Sequence, residues 1–187
     1  GFEFSLICLV HNERVVPLEV AQDHKCVFDG DKGPNTGGMG SYSPVKKITS
    51  EIIDEAMNEI MKPMASAMVK EGVPFTGFLY GGLMLTEKGI KTIEFNARFG
   101  DPEAEVILPR LESDFIQAIL DLMDNKPVEL KWTDKVSHGV VLASTNYPAS
   151  STKGSLITGV DDVDGLVFHM GTKMTDEGLV TDGGRVL

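Results

Sequence analysis

The stretch Ile93-Glu94-Phe95-Asn96-Ala97-Arg98-Phe99-Gly100-Asp101-Pro102-Glu103 decides how this chain is read. Successive side chains of a β-strand point to opposite faces. Alternation therefore predicts Glu94, Asn96 and Arg98 on one face and Phe95, Ala97 and Phe99 on the other. The first face presents a carboxylate, an amide oxygen and a guanidinium in a row. Hard cations such as Mg²⁺ take oxygen ligands, and a guanidinium grips phosphate or carboxylate through paired N–H donors. Such a row suits a metal-bound polyphosphate. A solvated strand face whose charges pair with one another has the same spacing, so spacing alone leaves both readings open.

Working outward, Phe78 to Leu85 and Ile90 to Asn96 read as a hairpin around Thr86-Glu87-Lys88-Gly89, with the opening motif on its second strand. Asp101-Pro102-Glu103 has the wording of a helix start: Asp as cap, Pro at the first position, Glu in the first turn. Pro109 ends that short helix, and Asp114 to Asp124 forms another, with Asp114 and Gln117 spaced as a capping box. Upstream, residues 3–10 and 15–20 are two strands joined by His11-Asn12-Glu13-Arg14. A helix is predicted over 50–70, capped by Thr49 or Ser50. Ile53, Met57, Ile60, Met64 and Met68 repeat at helical spacing on it, and Pro63 kinks or divides it. The methionines read as core.

Asn125-Lys126-Pro127 marks a boundary. Beyond it short strands are predicted at 139–144, 166–169 and 179–181. The fold class is α+β: an antiparallel sheet with helices over 1–125 and a small β-rich domain over 126–187. A strand opens almost at the first residue and Gly183-Gly184-Arg185-Val186-Leu187 reads as the start of another, so the chain is expected to be a piece of a longer protein.

The chain has 187 residues, 42% hydrophobic and 24% charged, which suits one or two packed domains. Its formal net charge of −11 argues against nucleic-acid binding through a broad basic surface. An anionic ligand would need a site that is locally basic or metal-assisted. No apolar run is long enough to span a bilayer, so no membrane partner is expected. The two cysteines, Cys8 and Cys26, make no disulfide framework, which points to a reducing cytoplasm.

Two further segments can carry chemistry. In Asn35-Thr36-Gly37-Gly38-Met39-Gly40 the glycines allow backbone N–H groups close to a ligand, although a flexible surface turn has the same composition. In Ala21-Gln22-Asp23-His24-Lys25, Lys25 can reach a phosphate and Asp23 can orient an amine; ordinary solvated charges at a strand end read the same way. No two histidines have metal-ligand spacing, and no serine or cysteine sits in a nucleophile elbow.

The order and wording of 21–25, Asp29-Gly30-Asp31-Lys32-Gly33-Pro34 running into 35–40, and 94–103 resemble the phosphoribosylamine–glycine ligase family of the ATP-grasp superfamily. The likeness continues through Tyr80-Gly81-Gly82-Leu83-Met84-Leu85-Thr86, Val167 to Thr172 and Gly183 to Leu187. That resemblance implies the second half of an ATP-grasp domain and a ligase that joins glycine to 5-phosphoribosylamine through a glycyl phosphate, using ATP, in de novo purine synthesis. It implies Glu94 and Asn96 as ligands of Mg²⁺ (or Mn²⁺), and Arg98 as the group that stabilises the transferred phosphoryl. Asp23, Lys25, Asn35, Thr36, Gly37, Gly38, Gly40, Asp101, Pro102 and Glu103 would position the substrates. Leu83 and Leu85 would line the nucleotide pocket, with Glu3 at its ribose edge. Gly82 to Leu85 supplies no further metal carboxylate. A monomeric or dimeric parent is expected, with this chain inactive alone. A non-catalytic ATP-grasp module and a different carboxylate–amine ligase are the alternatives.

Overall fold

The structure, a computed structural model, describes residues 1–187 and divides into two bodies. The first comprises Gly1–Asp23 and Ser41–His138; the second comprises His24–Gly40 and Gly139–Leu187.

The first body is built on β1 (Phe2–His11) and β2 (Arg14–Pro17), which turn through Asn12 at positive φ. β7 (Thr76–Thr86) and β8 (Gly89–Asn96) form the expected hairpin. The sheet order is β2-β1-β7-β8, antiparallel throughout. Between the two hairpins come β3 (Gln22–Asp23), β4 (Cys26–Phe28), β5 (Lys32–Asn35) and β6 (Gly40–Ser43); the alternation rules see little in these because each is too short to show a period. β3 pairs with β6, Gln22 opposite Tyr42 and Asp23 opposite Ser41.

The helix expected over 50–70 is divided, and Pro63 gives the reason. α1 (Ser50–Ala56) and α2 (Lys62–Lys70) flank a π turn over Met57–Met61. A proline lacks the N–H and its ring crowds the carbonyl four residues back. The wider turn immediately before it makes room. Met57 and Met61 are buried with Phe4, Leu6, Cys8, Val10, Leu79 and Leu83, while Ile53, Ile60, Met64 and Met68 pack around them. A Cβ on Gly81 would lie 2.8 Å from Met61 Sδ, so glycine at this strand position lets the methionine rest on the sheet.

α3 (Ala104–Ile107), a 3₁₀ turn over Leu108–Arg110 and α4 (Phe115–Met123) cover part of the opposite face through Ile7, Leu9, Tyr80, Val106, Ile107 and Leu122. The cap expected at Asp114 is present: its carboxylate accepts the Gln117 N–H at 2.9 Å. The reciprocal half of a capping box is not, because the Gln117 side chain donates to Asp121 instead. Arg14 closes the other end of α4, donating to the Leu122 carbonyl at 2.9 Å and to that of Lys126.

Arg110 ties this body together. It is 4% exposed and donates to the carbonyls of Lys135 (2.7 Å) and Thr133 (2.9 Å) and to Ser43 Oγ (3.0 Å), with Glu19 3.3 Å away. Ser43 in turn donates to the Val20 carbonyl.

In the second body β4 pairs with β5, and β10 (Thr172–Thr175) with β11 (Gly178–Thr181). β9 (Ser137–Val140) begins in the first body and ends in the second. The segment 166–169 is not a strand, contrary to its apolar alternation. Leu166 is 71% exposed and Phe168 41%, so the alternation has no surface to bury against. Further on, Gly171 and Gly183 meet backbone to backbone; a Cβ on Gly171 would sit 2.6 Å from Gly183 Cα. No helix is long and apolar enough to cross a membrane.

Removing Arg110 strands a buried set of acceptors. Arg110→Ala is expected to lower the unfolding free energy by about 3–5 kcal/mol, measured by urea denaturation. Burial also pushes the Cys8 thiol well above its ordinary range. The thiolate is the reactive form. At pH 8 a thiol reagent should therefore modify half-buried Cys26 in the native protein and reach Cys8 only on unfolding, as read by mass spectrometry.

Candidate functional site

Register assigns every side chain of the sheet to a face, because partners directly opposite in an antiparallel pair share one. Phe4 stands opposite Leu83, Leu6 opposite Gly81 and Cys8 opposite Leu79; these face α1 and α2. Glu3 stands opposite Met84, Ser5 opposite Gly82 and Ile7 opposite Tyr80, on the second face. Ile7 and Tyr80 lie in the core formed with α3 and α4. Glu3, Ser5, Gly82 and Met84 continue that face beyond them.

β8 joins this face through an irregularity. Leu83 is opposite Thr92, but Gly82 is opposite Glu94, so Ile93 is one residue too many. An unbroken ladder would have put Ile93 opposite Gly82 and turned Glu94 and Asn96 toward the helices. The bulge re-aims both. Glu94 now lies beside Gly82, and Asn96 is opposite Tyr80. Gly82 leaves the room this needs: a Cβ there would be 3.2 Å from Glu94 Cγ and 3.4 Å from Tyr80 Cε1. Glu94 is exposed. Asn96 Nδ2 is buried without a hydrogen-bond partner, and a half-turn of the amide would bring its oxygen to the same position.

Strand alternation stops short of Arg98. β8 ends at Asn96, and the exposed Arg98 lies past it, its guanidinium donating to the Phe99 carbonyl at 2.8 Å. Leu83 and Leu85 depart further from expectation. Both lie on the helix-side face, Leu83 with no exposed surface and Leu85 packed against the same core. Period two places Met84, not its neighbours, on the face of Glu94. Neither leucine lines a pocket on that face.

The turn 101–103 also differs from the helix start read in the sequence. The Asp101–Pro102 bond is cis and α3 begins only at Ala104, four residues long. The turn is held inward instead. The Pro102 carbonyl accepts from Ser41 Oγ at 2.6 Å, and the Glu103 carboxylate accepts from Ser5 Oγ at 2.8 Å. Ser5 has one proton and gives it to Glu103, so Tyr80, 2.9 Å away, donates to Ser5. Burial, then the charge of Glu103, holds the Tyr80 phenol far above its ordinary value. A Cβ on Gly100 would overlap the Glu103 carboxylate, so glycine there admits the buried acid. Ser5 and Tyr80 carry no signal in the sequence that separates them from other strand residues.

The glycine-rich loop belongs to the second body and is ordered by bonds to other residues of that body. Thr36 returns to Lys25, its N–H and its hydroxyl each donating to the Lys25 carbonyl at 2.8 Å. The Gly38 N–H donates to Thr36 Oγ1 at 3.0 Å, and the Gly37 N–H donates to the Tyr147 hydroxyl at 3.0 Å. Those amides are engaged by Tyr147 and Thr36, so they are not the ligand-facing donors that composition suggested. Gly37 has another reason to be glycine: a Cβ would lie 2.9–3.0 Å from the Arg185 guanidinium, which rests on it. Arg185 donates to the Gly37 carbonyl at 3.1 Å. Gly40, at φ +153°, has the Gly139 carbonyl 2.5 Å from where a Cβ would stand. Asn35 ends β5, where Cys26 Sγ donates to its side-chain oxygen at 3.6 Å.

The structure thus brings Glu3, Glu94, Asn96 and the Ser5–Tyr80–Glu103 chain onto one face of the first body, which also holds Asp23, Arg98, Asp101 and Pro102. Lys25, Asn35, Thr36, Gly37, Gly38 and Gly40 belong to the second body with Tyr147 and Arg185. No three His, Cys, Asp or Glu side chains are close enough to hold a metal by themselves. Glu94 and Asn96 offer two oxygen donors.

Comparison with known proteins gives a consistent result. The chain is 54% identical, over its full length, to a phosphoribosylamine–glycine ligase of Halalkalibacterium halodurans, of which it covers 44%. It superposes with a TM-score of 0.90 and 39% identity on the crystal structure of phosphoribosylamine–glycine ligase from Thermotoga maritima, covering 100% of this chain and 46% of that one. The chain spans about half the length of the curated relatives it matches. Carboxyaminoimidazole ribonucleotide synthase from Aspergillus clavatus, solved with ATP, shares the fold alone: TM-score 0.53, 14% identity, 79% of this chain and 36% of that one. The chain belongs to the phosphoribosylglycinamide synthetase family, matching its ATP-grasp (A) domain over residues 1–104 and its C domain over residues 137–187.

Proposed function

We propose that this chain forms part of an ATP-dependent ligase that joins glycine to 5-phosphoribosylamine, and that Glu94 and Asn96 hold the Mg²⁺ that accompanies ATP. The bulge at Ile93 carries the reading. It sets a carboxylate and an amide side by side on a sheet face, in a chain 54% identical to a phosphoribosylamine–glycine ligase. Mg²⁺ seldom has an all-protein cage; one or two side-chain oxygens, phosphates and water complete its octahedron. Two donors therefore fit this ion, and Mn²⁺ suits the same oxygens. When bound, the ion supplies charge neutralisation as a phosphoryl group passes to the glycine carboxylate.

The remaining work falls to side chains. Arg98, just past the strand, is suited to hold the phosphoryl oxygens in a bidentate grip. Asp101, Pro102 and Glu103 shape the glycine side through the turn anchored on Ser5 and Ser41. Asp23, Lys25 and the 35–40 loop position phosphoribosylamine. Its amine attacks the carbonyl carbon of glycyl phosphate, the amide bond forms and phosphate leaves. Glu3, on the same face as Met84, is assigned to the nucleotide edge. The reaction serves de novo purine synthesis, and the compartment we infer is the cytoplasm.

In the full-length ligase containing this chain, Glu94→Ala and Asn96→Ala should each lower turnover by about a hundredfold or more, because a lost ligand misplaces metal and phosphates together. ADP release titrated against Mg²⁺ measures it, and an unchanged Mg²⁺ dependence overturns the metal assignment. The 187-residue chain alone, supplied with glycine, phosphoribosylamine and Mg·ATP, should release no ADP above background.

A further inference from the structure

We propose that Tyr80 and Ser5 are positioning residues for Arg98, which they hold in place by tethering the far end of the 97–103 segment to β1 and β7. The inference rests on the reading above, in which Arg98 grips the phosphoryl oxygens. At the near end of the segment Asn96, the last residue of β8, is opposite Tyr80. At the far end Ser5 Oγ donates to the Glu103 carboxylate at 2.8 Å and lies 2.9 Å from the Tyr80 hydroxyl. One tyrosine thus serves both ends. Its backbone pairs with the strand that leads into the segment, and its hydroxyl meets the bond that holds the exit. Ser5, Tyr80 and Glu103 are 2%, 4% and 2% exposed, so water has little access to these bonds and each is correspondingly strong.

Between the two ends the chain is held at Phe99 and Gly100. The Phe99 ring packs on Phe78, centroids 4.8 Å apart. The Gly100 carbonyl accepts the Ala104 N–H at 3.1 Å, and a Cβ on Gly100 would overlap the Glu103 carboxylate. Arg98 is exposed on this frame, with one N–H donated to the Phe99 carbonyl. A long side chain keeps rotamer freedom of its own, so what the fold can fix is the backbone from which the guanidinium reaches. That backbone is set relative to the metal pair, because Ser5 is opposite Gly82, and Gly82 is opposite Glu94. Misplacing a group that acts on the transition state by about 1 Å can cost about a hundredfold in rate. A tether from the exit of the segment back to the sheet guards against such a shift.

Steady-state ADP release by the full-length ligase containing this chain tests the proposal through paired variants. Tyr80→Phe should lower kcat about three- to tenfold and Ser5→Ala about tenfold or more, each with the KM for Mg·ATP changed by less than about twofold, as lost alignment in the transition state implies. In an Arg98→Ala ligase, Tyr80→Phe should cost nothing further, because a tether that acts through Arg98 has nothing left to position. An undiminished kcat in Tyr80→Phe, or a loss that persists in full beside Arg98→Ala, overturns the proposal. Trypsin supplies a second measurement that needs neither nucleotide nor metal. The Arg98–Phe99 bond, timed by mass spectrometry against the other tryptic bonds, should be cut faster in Tyr80→Phe and in Ser5→Ala. A rate unchanged at that bond, or raised equally at all of them, overturns the tether. Arg98→Ala alone separates the two levels of the argument. If it is as fast as the unaltered ligase, the role of Arg98 falls and the tether's purpose with it; if it is slow and the paired variants fail, only the positioning role falls.

Discussion

The antiparallel ladder between β1 and β7 runs for ten residues from Phe2–Leu85 to His11–Thr76, and the organisation of the first body follows from its parity. Even positions of β1 go to the helices, odd positions to the other face. Neither strand can slip by one residue without exchanging the residues of its two faces, which would turn Ser5 toward the helices in place of Phe4 or Leu6. With that parity fixed, a single extra residue in β8 is enough to decide where a charged pair points. Ile93 is half exposed and contributes little to the core, consistent with a residue whose place in the ladder matters more than its packing.

At four positions glycine is used for contact rather than for freedom. Gly81 admits Met61, Gly82 leaves the flank of Glu94 clear, Gly100 admits Glu103 and Gly37 admits Arg185. None of these four needs a left-handed backbone. At each, a methyl group would meet a side chain that serves the core or the site. These four glycines are therefore a record of close approaches between side chains and bare backbone.

Much of the first body is legible in the sequence because its signals are local. The two hairpins follow from alternation and turn residues, the division at Pro63 from proline chemistry, and the start of α4 from Asp114. The misreadings share a cause. Leu83 and Leu85 look like pocket residues until the partner strand fixes their face. Asp101-Pro102-Glu103 looks like a helix start until Ser5, almost a hundred residues away, takes the Glu103 carboxylate. The strand expected at 166–169 has the right alternation and nothing to pair with. The bulge at Ile93 is invisible without β7, yet Glu94 and Asn96 were placed on a common face correctly, since two residues apart on one strand stay together wherever the bulge lies before them.

In a chain of net charge −11 any face that takes a polyphosphate must cancel charge locally. On the sheet the side chains near Gly82 are oxygen donors, and Glu94 would repel a bare polyphosphate. Such a face accepts a polyanion only as its complex with a divalent cation, so a metal there would have to arrive with, or be retained by, the phosphates it neutralises. At the 36–38 loop the side chain laid on the backbone is a cation instead: the Arg185 guanidinium rests on Gly37 and donates to its carbonyl. The buried Glu103 fits neither scheme, because its partners are the neutral hydroxyl chain of Ser5 and Tyr80. A carboxylate satisfied in that way can anchor the 100–103 turn beside the site without drawing in a cation that belongs to the substrate.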